Sequence, residues 1–437
     1  MNAPRSHYRT TRWWIVALLF LATIVNYIDR QALAVLKEPI CGGLGFTDAQ
    51  FGYLGTAFLI SYMVMYTVAG RLIDRVGIRL GVTACVGLWS VASMLTGLAQ
   101  GFRSLTAFRV LLGVGEPGIF PGGIKACGEW FPKKMRALPT GIFSSGSAVG
   151  AVIAVPLLAW ITQASGTWRA AFIIPGAVGL LWIPFFWKLY RPPAKHPAVT
   201  AADLAELREG GEHAASPSAS GRGKKWGELL SQRKVWGLVL SRFASDPVWH
   251  FYLLWLPGYF MAERGLSLKE VGIYLWLPYL FGTLGNVAGG WFSDALIRRG
   301  WTAPRARFAM LACAGLLTPF GALVGFINSI AAAIAITCLI TFMCQMWSTN
   351  TATLAADITD TTETASVMGL MGSAGSLTGA VFMTVVGLIV TKFGYAYAFV
   401  LAATLHPIAA VTLFLFLKPA LAGGAAGDGR RQQSPGI

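Results

Sequence analysis

The sequence is 437 residues long, and 55% of its residues are hydrophobic whereas 12% are charged. Soluble domains carry about 25% charged residues, so this composition excludes an ordinary soluble protein. The formal net charge of +16 could suggest nucleic-acid binding. However, the basic residues gather between apolar stretches, which favours a role in membrane topology over a polyanionic partner.

Apolar stretches of roughly 20 residues recur along the chain, each long enough to cross a ~30 Å hydrocarbon core. Hydropathy predicts about twelve such spans. The first set lies at 13–36, 51–70, 81–100, 105–127, 138–162 and 168–190, and the second at 236–260, 271–294, 308–328, 331–356, 365–391 and 395–417. The sequence therefore predicts an all-α membrane protein of twelve transmembrane helices in two six-helix bundles.

Lysine and arginine are unevenly divided between the two ends of these spans. With the N-terminus on the cytoplasmic side, the opposite side carries only Lys37, Arg103, Arg169, Arg264, Lys269 and Lys392. Most other basic residues fall in the tails, the middle segment and the remaining loops, as the positive-inside rule requires. The first apolar run is too long for a signal peptide, so we expect it to remain as a span. We expect both termini to be cytoplasmic, in a bacterial inner membrane.

The segment 191–234 is rich in proline, glycine, serine and charge, which predicts a partly disordered linker with a short helix near 204–208. We expect bundles at 1–190 and 235–420, and a disordered tail at 421–437. The halves resemble each other: GRLIDRVGIRLG at 70–81 and GGWFSDALIRRG at 289–300 are offset by roughly 220 residues. Such duplication is typical of secondary transporters, whose binding site lies between the repeats.

The loop at 70–81 has an ordered pattern of small and charged residues. Gly70 permits close helix approach. Asp74 can accept from a helix N-terminus or an arginine, and Arg75 and Arg79 offer forked donors. The loop resembles the signature that follows the second helix of the major facilitator superfamily, where the cluster latches the cytoplasmic side in one conformation. A solvated basic loop that only sets topology is the alternative.

The fourth span, FRVLLGVGEPGIFPGG at 108–123, carries two ionisable residues. Arg109 and Glu116 are seven residues apart and share a face of a regular helix, about 10 Å apart along its axis. Pro117 removes a backbone hydrogen bond and predicts a kink beside Glu116. Protonation of Glu116 is therefore predicted to release an ion pair with Arg109.

The first span ends in VNYIDRQALAV at 25–35, where charge is costly, at about 2.5–3.5 kcal/mol per residue at a span centre. Tyr27 and Arg30 are three residues apart and share a helix face. We expect them to line a central cavity in which Arg30 takes an anionic group bidentately. Asp29 is predicted to face the fourth helix or another neighbour and to exchange a proton. A purely structural network of Asp29, Arg30, Arg109 and Glu116 is the alternative.

Nearly the whole chain, apart from the linker and tails, resembles the anion:cation symporter branch of the major facilitator superfamily, with the hexuronate-transporter-like subgroup fitting best. The stretches that carry this resemblance are NYIDRQALAVLKEPI at 26–40, the 70–81 loop, FRVLLGVGEPGIFPGGIKACGEWFP at 108–132, DPVWHFYLLWLPGYF at 246–260 and WSTNTATLAADI at 347–358.

The resemblance implies a role for several positions. Arg30 corresponds to the arginine that binds the substrate carboxylate, Asp29 and Glu116 to the proton-coupling acids, and Arg109 to the arginine near the second acid. Further substrate contacts are implied at Tyr62, Trp347, Ser348, Asn350 and Ser376. Trp347, Ser348 and Asn350 could bind sugar hydroxyls or a sugar face, with helix packing as the alternative. At Ser376, galactonate-type relatives carry an asparagine, which leaves the hydroxyl contacts open.

The remaining polar residues have plainer explanations. Asp246, before Pro247, is interpreted as a helix cap, and His250 as a hydrogen-bonded structural histidine, with titration in a cavity as the alternative. An acidic patch after the tenth span, formed by Asp357, Asp360 and Glu363, is expected to pair with basic neighbours. We predict no metal site and no cofactor, and we find neither a nucleotide-binding motif nor a hydrolase motif.

The sequence thus predicts a proton-coupled importer of an organic anion, with a hexuronate such as galacturonate or glucuronate as the expected substrate. The expected partners are this small anion, protons and the lipid bilayer, without nucleic acid, and the carrier is expected to work as a monomer. An aldonate such as galactonate, tartrate or an aromatic acid is the alternative substrate. A non-transporting nutrient sensor and a membrane-embedded enzyme are the alternatives from other classes.

Overall fold

The computed structural model describes residues 7–209 and 224–422, and within these ranges the chain contains helices and no strand. Residues 210–223 of the predicted linker and residues 423–437 of the predicted tail lie outside these ranges. The short linker helix that the sequence predicts is present, at Ala201–Glu209.

Twelve helical segments, six on each side of the linker, match the twelve predicted spans. The first six are α1 (Tyr8–Val35), α2 (Asp48–Val76), α3 (Ile78–Gly97), α4 (Phe102–Gly115 and Ile119–Trp130), α5 (Ala137–Ser165) and α6 (Ala170–Leu189). The second six are α7 (Arg233–Ala262), α8 (Trp276–Arg298), α9 (Ala303–Leu317, continued by a 3₁₀ stretch Thr318–Gly325), α10 (Ile330–Ile358), α11 (Thr364–Phe393) and α12 (Tyr395–Ala422).

Among the described residues, 9 of these segments are long and apolar enough to cross a membrane by length and composition. The segments that do not meet this measure are α4, α7 and α8. The first is interrupted, and the other two carry buried or half-buried polar residues, including Arg242, Asp246 and Asp294.

Helix ends follow from local chemistry. At the start of α2, Thr47 Oγ1 accepts from the Gln50 backbone N–H at 3.3 Å, and the Gln50 side chain accepts from the Thr47 N–H at 3.0 Å. This reciprocal cap satisfies donors that the first helical turn leaves unpaired. Gly77, with φ of +85°, ends α2 and allows α3 to start at once, because glycine adopts positive φ without steric cost.

The packing of the helices is the same in both halves of the chain. Within the first half, α1 packs on α5, α2 on α4 and α3 on α6; within the second, α7 packs on α11 and α12, and α8 on α10. Between the halves, α2 packs on α11 and α5 packs on α8. In the internal repeat, α2 corresponds to α8 and α5 corresponds to α11. The two contacts between the halves are therefore equivalent, and the halves meet through related surfaces.

The halves meet at the end of the bundle where α1 begins and α2 ends, which we call the terminal face. A methyl group placed on Gly70 would lie 2.1 Å from the Ala365 carbonyl oxygen, and one on Gly290 would lie 2.3 Å from the Ala137 carbonyl oxygen. Only glycine lets the backbones of the two halves approach so closely.

Candidate functional site

The α-helical pattern of α4 is interrupted at Pro117, where the sequence predicts a kink, and Glu116 lies at this interruption. Residues Glu116–Gly118 form a 3₁₀ turn between the two parts of α4, where Pro117 has no N–H to continue the α-helical pattern. The Glu116 side chain at this turn is fully buried, and its Oε1 has no hydrogen-bond partner among the described residues.

Arg30 of α1 is the partner of Glu116. Its Nε and Nη2 lie 2.9 and 2.8 Å from Oε2 of Glu116. The guanidinium also lies 4.7 Å from the Tyr27 ring centroid and 4.5 Å from that of Tyr62. Such cation–π contacts are worth up to about 2 kcal/mol when the cation is desolvated. The Arg30 side chain nevertheless keeps 24% of its surface exposed, so it is held firmly while remaining accessible.

Arg109 and Asp29 lie close to this pair but are not hydrogen-bonded to it. The Arg109 guanidinium stacks 5.3 Å from the Phe172 ring centroid, and its Nε and Nη2 have no partner among residues 7–209 and 224–422. Asp29 is buried and accepts a hydrogen bond from Ser93 Oγ at 2.7 Å.

The expectation that Glu116 pairs with Arg109 is therefore wrong in this structure. The helix is regular from Arg109 to Glu116, whose N–H still bonds to the Leu112 carbonyl oxygen, so the spacing alone does not decide which side chain the carboxylate meets. Glu116 is instead bonded to α1. The Asp29–Ser93 bond confirms only that Asp29 is directed away from Arg30, toward α3.

The α10 cluster divides into two groups. Trp347 is 1% exposed and packs edge-on against His406 at 5.1 Å. Asn350 is buried, and its Nδ2 donates to the backbone oxygens of Met346 and Gly289. Both side chains thus occupy the helix-packing arrangement that the sequence left as an alternative. Ser348 accepts a hydrogen bond from Arg242 at 3.0 Å, and Ser376 is half-buried.

Arg242 is a charged site residue that the sequence analysis missed. It forms an ion pair with Asp246, Nε to Oδ1 at 2.7 Å. Asp246 lies in the middle of α7, which begins at Arg233, so its interpretation as a helix cap is wrong. The signal that could have found the pair is the i,i+4 spacing of opposite charges inside an apolar span. His250, one turn later, bonds through Nδ1 to the Asp246 carbonyl oxygen at 3.0 Å.

Asp74 joins the two halves at the terminal face. Its Oδ2 accepts from the Ser366 backbone N–H and side-chain hydroxyl, both at 2.6 Å, at the N-terminus of α11. Lys125 of α4 donates to its Oδ1 at 2.7 Å. The sequence allowed either a helix N-terminus or an arginine as the partner of Asp74. In the structure the partner is a helix N-terminus.

The two arginines predicted to act with Asp74 do not contact the other half. Arg75 is exposed and makes no hydrogen bond or ion pair with any described residue. Arg79 donates to the Trp187 carbonyl oxygen and stacks 4.3 Å from the Trp187 ring centroid, within its own half. In this structure a helix N-terminus and Lys125 supply the partners of Asp74, and the part of Arg75 and Arg79 in a latch stays a prediction.

Asp294 repeats the arrangement of Asp74 in the second half of the chain. Its Oδ2 accepts from the Leu138 N–H at 2.9 Å and its Oδ1 from the Ala137 N–H at 3.3 Å, at the N-terminus of α5. Arg307 donates to Asp294 at 2.7 Å. The 220-residue offset of the repeat connects Asp74 with Asp294, so the sequence contained the signal for this second contact. We call Gly70, Asp74, Gly290 and Asp294 the latch.

The acidic patch pairs with basic neighbours, as the sequence predicts. Asp357 pairs with Arg136 of the other half at 3.1 Å and with Arg307 at 3.2 Å. Glu363 pairs with Lys224 of the linker at 2.5 Å, and this hydrogen bond raises the pKa of Lys224. The Lys224 carbonyl oxygen accepts from Arg71 of α2, so the linker contacts both halves at the terminal face.

Comparisons with known proteins agree with this architecture. A family model described as Major Facilitator Superfamily matches residues 19–350. The hexuronate transporter of Escherichia coli (strain K12) is 30% identical over 420 residues, covering 94% of this chain and 95% of that protein. The D-galactonate transporter of Escherichia coli O6:H1 is 29% identical over 429 residues, covering 95% and 97%.

Two comparisons extend this picture. The probable galactarate/D-glucarate transporter GudP of Bacillus subtilis is 33% identical, over 70% of this chain and 69% of that protein. Among solved structures, the proton:xylose symporter XylE shares the fold, with a TM-score of 0.75 and 13% identity over 94% of this chain and 96% of that one. The family model matches residues 19–350, and the E. coli hexuronate transporter is 30% identical over 94% of this chain. The chain therefore belongs to the major facilitator superfamily, among its hexuronate-transporter-like members.

Proposed function

We propose that the protein is a proton-coupled symporter that imports a monocarboxylic sugar acid, with a hexuronate as the substrate, by alternating access. The observation that carries the proposal is the buried ion pair between Arg30 and Glu116. A substrate carboxylate can take the place of the Glu116 carboxylate on the Arg30 fork only if Glu116 gives up its negative charge.

Proton coupling follows from this competition. While Glu116 is ionised, it occupies both donors of Arg30. A proton on Glu116 neutralises it and leaves Arg30 able to hold a carboxylate bidentately. An ionised Glu116 without a partner would be a buried unpaired charge, which is strongly unfavourable. Substrate and proton therefore enter together and leave together, and Asp29 serves as a second proton site in the same half.

Alternating access uses the latch. With the termini and linker on the cytoplasmic side of the inner membrane, as the distribution of basic residues favours, the contacts at the terminal face close the cytoplasmic side. Loading the site then favours separation of Asp74 from α11 and of Asp294 from α5. Substrate and proton leave to the cytoplasm, and the Arg30–Glu116 pair forms again.

Uptake of labelled galacturonate into proteoliposomes tests the proposal. Wild type should accumulate galacturonate when the outside is made acidic. Glu116→Gln mimics the protonated acid, so it should exchange labelled for unlabelled galacturonate but lose accumulation. The matched control is Glu270→Gln, in an exposed cap after α7, which should accumulate like wild type.

Two results would overturn the proposal. One is accumulation by Glu116→Gln at the wild-type level, which would exclude proton coupling at this residue. The other is wild type that neither exchanges nor accumulates any of a panel of sugar acids (hexuronates, aldonates and tartrate), which would exclude the substrate class.

A further inference from the structure

The second half of the chain contains its own arginine–carboxylate pair, for which the proposed function gives no role. Arg242 donates through Nε to Asp246 at 2.8 Å and through Nη1 to Ser348 at 3.0 Å. The two charged side chains keep 18% and 17% of their surfaces exposed. Nη2 of Arg242 makes no hydrogen bond to any described residue, and it is not among the buried unpaired atoms, so it is accessible.

This pair lies beside the same tyrosine cluster as Arg30. Tyr66 of the first half and Asp246 both pack on α11, against Gly372 and Gly375, which are three residues apart. The ring of Tyr27 covers Arg30 at 4.7 Å, and Tyr66 packs edge-on against Tyr62 at 5.4 Å. Arg30 and Arg242 are thus contributed by opposite halves to the surroundings of one group of tyrosines.

Helix α11 is shaped to hold this pair. A methyl group on Gly375 would lie 1.9 Å from Asp246 Oδ2, and one on Gly372 would lie 2.3 Å from the Tyr66 ring. Further along the same face, one on Gly379 would lie 3.3 Å from His250. Three glycines at helical spacing therefore leave room for Asp246 and its neighbours. The packing of α7 on α11 thus fixes the position of this carboxylate.

The charge balance differs between the two arginines. On the proposed mechanism, protonation of Glu116 gives the Arg30 side a positive charge that one carboxylate neutralises. Asp246 keeps the Arg242 side neutral, while Nη2 can still donate and the carboxylate oxygens can still accept. Such a neutral donor–acceptor pair suits hydroxyl groups, which both donate and accept. A second carboxylate would instead add an unbalanced buried charge.

We propose that Arg242 and Asp246 bind the hydroxyl-bearing end of the sugar acid, and that the neutrality of this pair selects monocarboxylic over dicarboxylic sugar acids. The proposal rests on the proposed function, since it assumes that Arg30 takes the first carboxylate. It makes Asp246 a specificity-determining residue, with Ser348 and Gly375 holding the pair in position.

Competition of galacturonate and galactarate for exchange of labelled galacturonate in proteoliposomes tests the proposal. Asp246→Asn leaves Arg242 uncompensated, so the apparent affinity for galactarate relative to galacturonate should rise at least tenfold. Arg242→Gln should lower the affinity for galacturonate at least tenfold without raising that ratio. Asp360→Asn, which removes an acid at the terminal face, is the control and should keep the wild-type ratio.

Gly375→Ala gives a test that changes no charged residue. Its methyl group must displace the Asp246 carboxylate, so the ratio should move in the same direction as in Asp246→Asn. Gly387→Ala, on the same helix with its nearest neighbour at 3.7 Å, should have no effect. A wild-type ratio in Asp246→Asn or in Gly375→Ala would overturn the inference, whereas absence of galacturonate exchange in wild type would overturn the proposed function instead.

Discussion

Arg30 is held by two kinds of contact, and both depend on a planar guanidinium. Its fork places two N–H donors on one oxygen of Glu116, and its face stacks against Tyr27 and Tyr62. A lysine ammonium offers neither the fork nor the flat face. The shape of the side chain at position 30 should therefore matter as much as its charge.

Replacing Arg30 with lysine tests this point. The variant keeps the charge but loses a charged hydrogen bond worth about 1.5–3 kcal/mol, so the affinity for galacturonate should fall roughly 10- to 100-fold. Titration calorimetry on purified protein measures the change. Arg75→Lys, at an exposed arginine that makes no hydrogen bond or ion pair within the described part of the chain, should bind like wild type. Wild-type affinity in Arg30→Lys would mean that Arg30 does not hold the carboxylate.

At the scale of single residues, the sequence predicted which charged residues lie inside apolar spans better than it predicted the partners of those residues. Charges in apolar spans pointed to Asp29, Arg30, Arg109 and Glu116, because burial makes such charges expensive. The partner of Glu116 could not be predicted, since it is Arg30 of another helix and depends on how α1 packs beside α4. Trp347, for which a substrate contact was predicted, packs against His406 in this structure, and the sequence does not show which face of a helix meets a neighbour.

Among the elements, α2 and α8 perform the same task in the two halves. Each presents a glycine to a backbone oxygen of the other half and, one turn later, an aspartate to a helix N-terminus. Carboxylates are stabilised at helix N-termini by about 0.3–1 kcal/mol at exposed sites and by more when partly buried. The closed terminal face therefore depends on close backbone approach and on these caps together.

Gly70→Ala should weaken this closure. Its methyl group would lie 2.1 Å from the Ala365 oxygen, a contact that only separation of α2 from α11 relieves. Maleimide labelling of a cysteine introduced in place of Ala365 should become severalfold faster in the Gly70→Ala background. Gly55→Ala, on the same helix with nothing within 4 Å, is the control. Unchanged labelling would show that the halves separate elsewhere.

Hydropathy predicted the helical segments well and their interruptions less well. The twelve predicted spans each have a counterpart, and Pro117 marked the break in α4. The turn at Leu275 before α8 and the 3₁₀ stretch after Leu317 were not predicted. Leu275 and Leu317 are apolar, and hydropathy measures transfer from water without sensing backbone geometry.

For the whole molecule, each half contributes one glycine–aspartate pair to the contacts at the terminal face, and on our proposals each half also contributes one arginine to a shared site. This arrangement was predictable in outline, because the duplicated motifs imply related halves with a site between them. The role of the linker was not predicted. Lys224 lies between Arg71 of one half and Glu363 of the other, a placement that depends on the docked halves and leaves no local sequence signal.

The central claim is that a proton on Glu116 makes room for a carboxylate on Arg30. Adding galacturonate to purified protein in weakly buffered solution, with a pH indicator, measures it most directly. We expect wild type to take up about one proton per bound galacturonate at neutral pH, because the complex holds a proton that the free protein lacks. Glu116→Gln should bind galacturonate without proton uptake. Binding by wild type without uptake, or equal uptake by Glu116→Gln, would contradict the account.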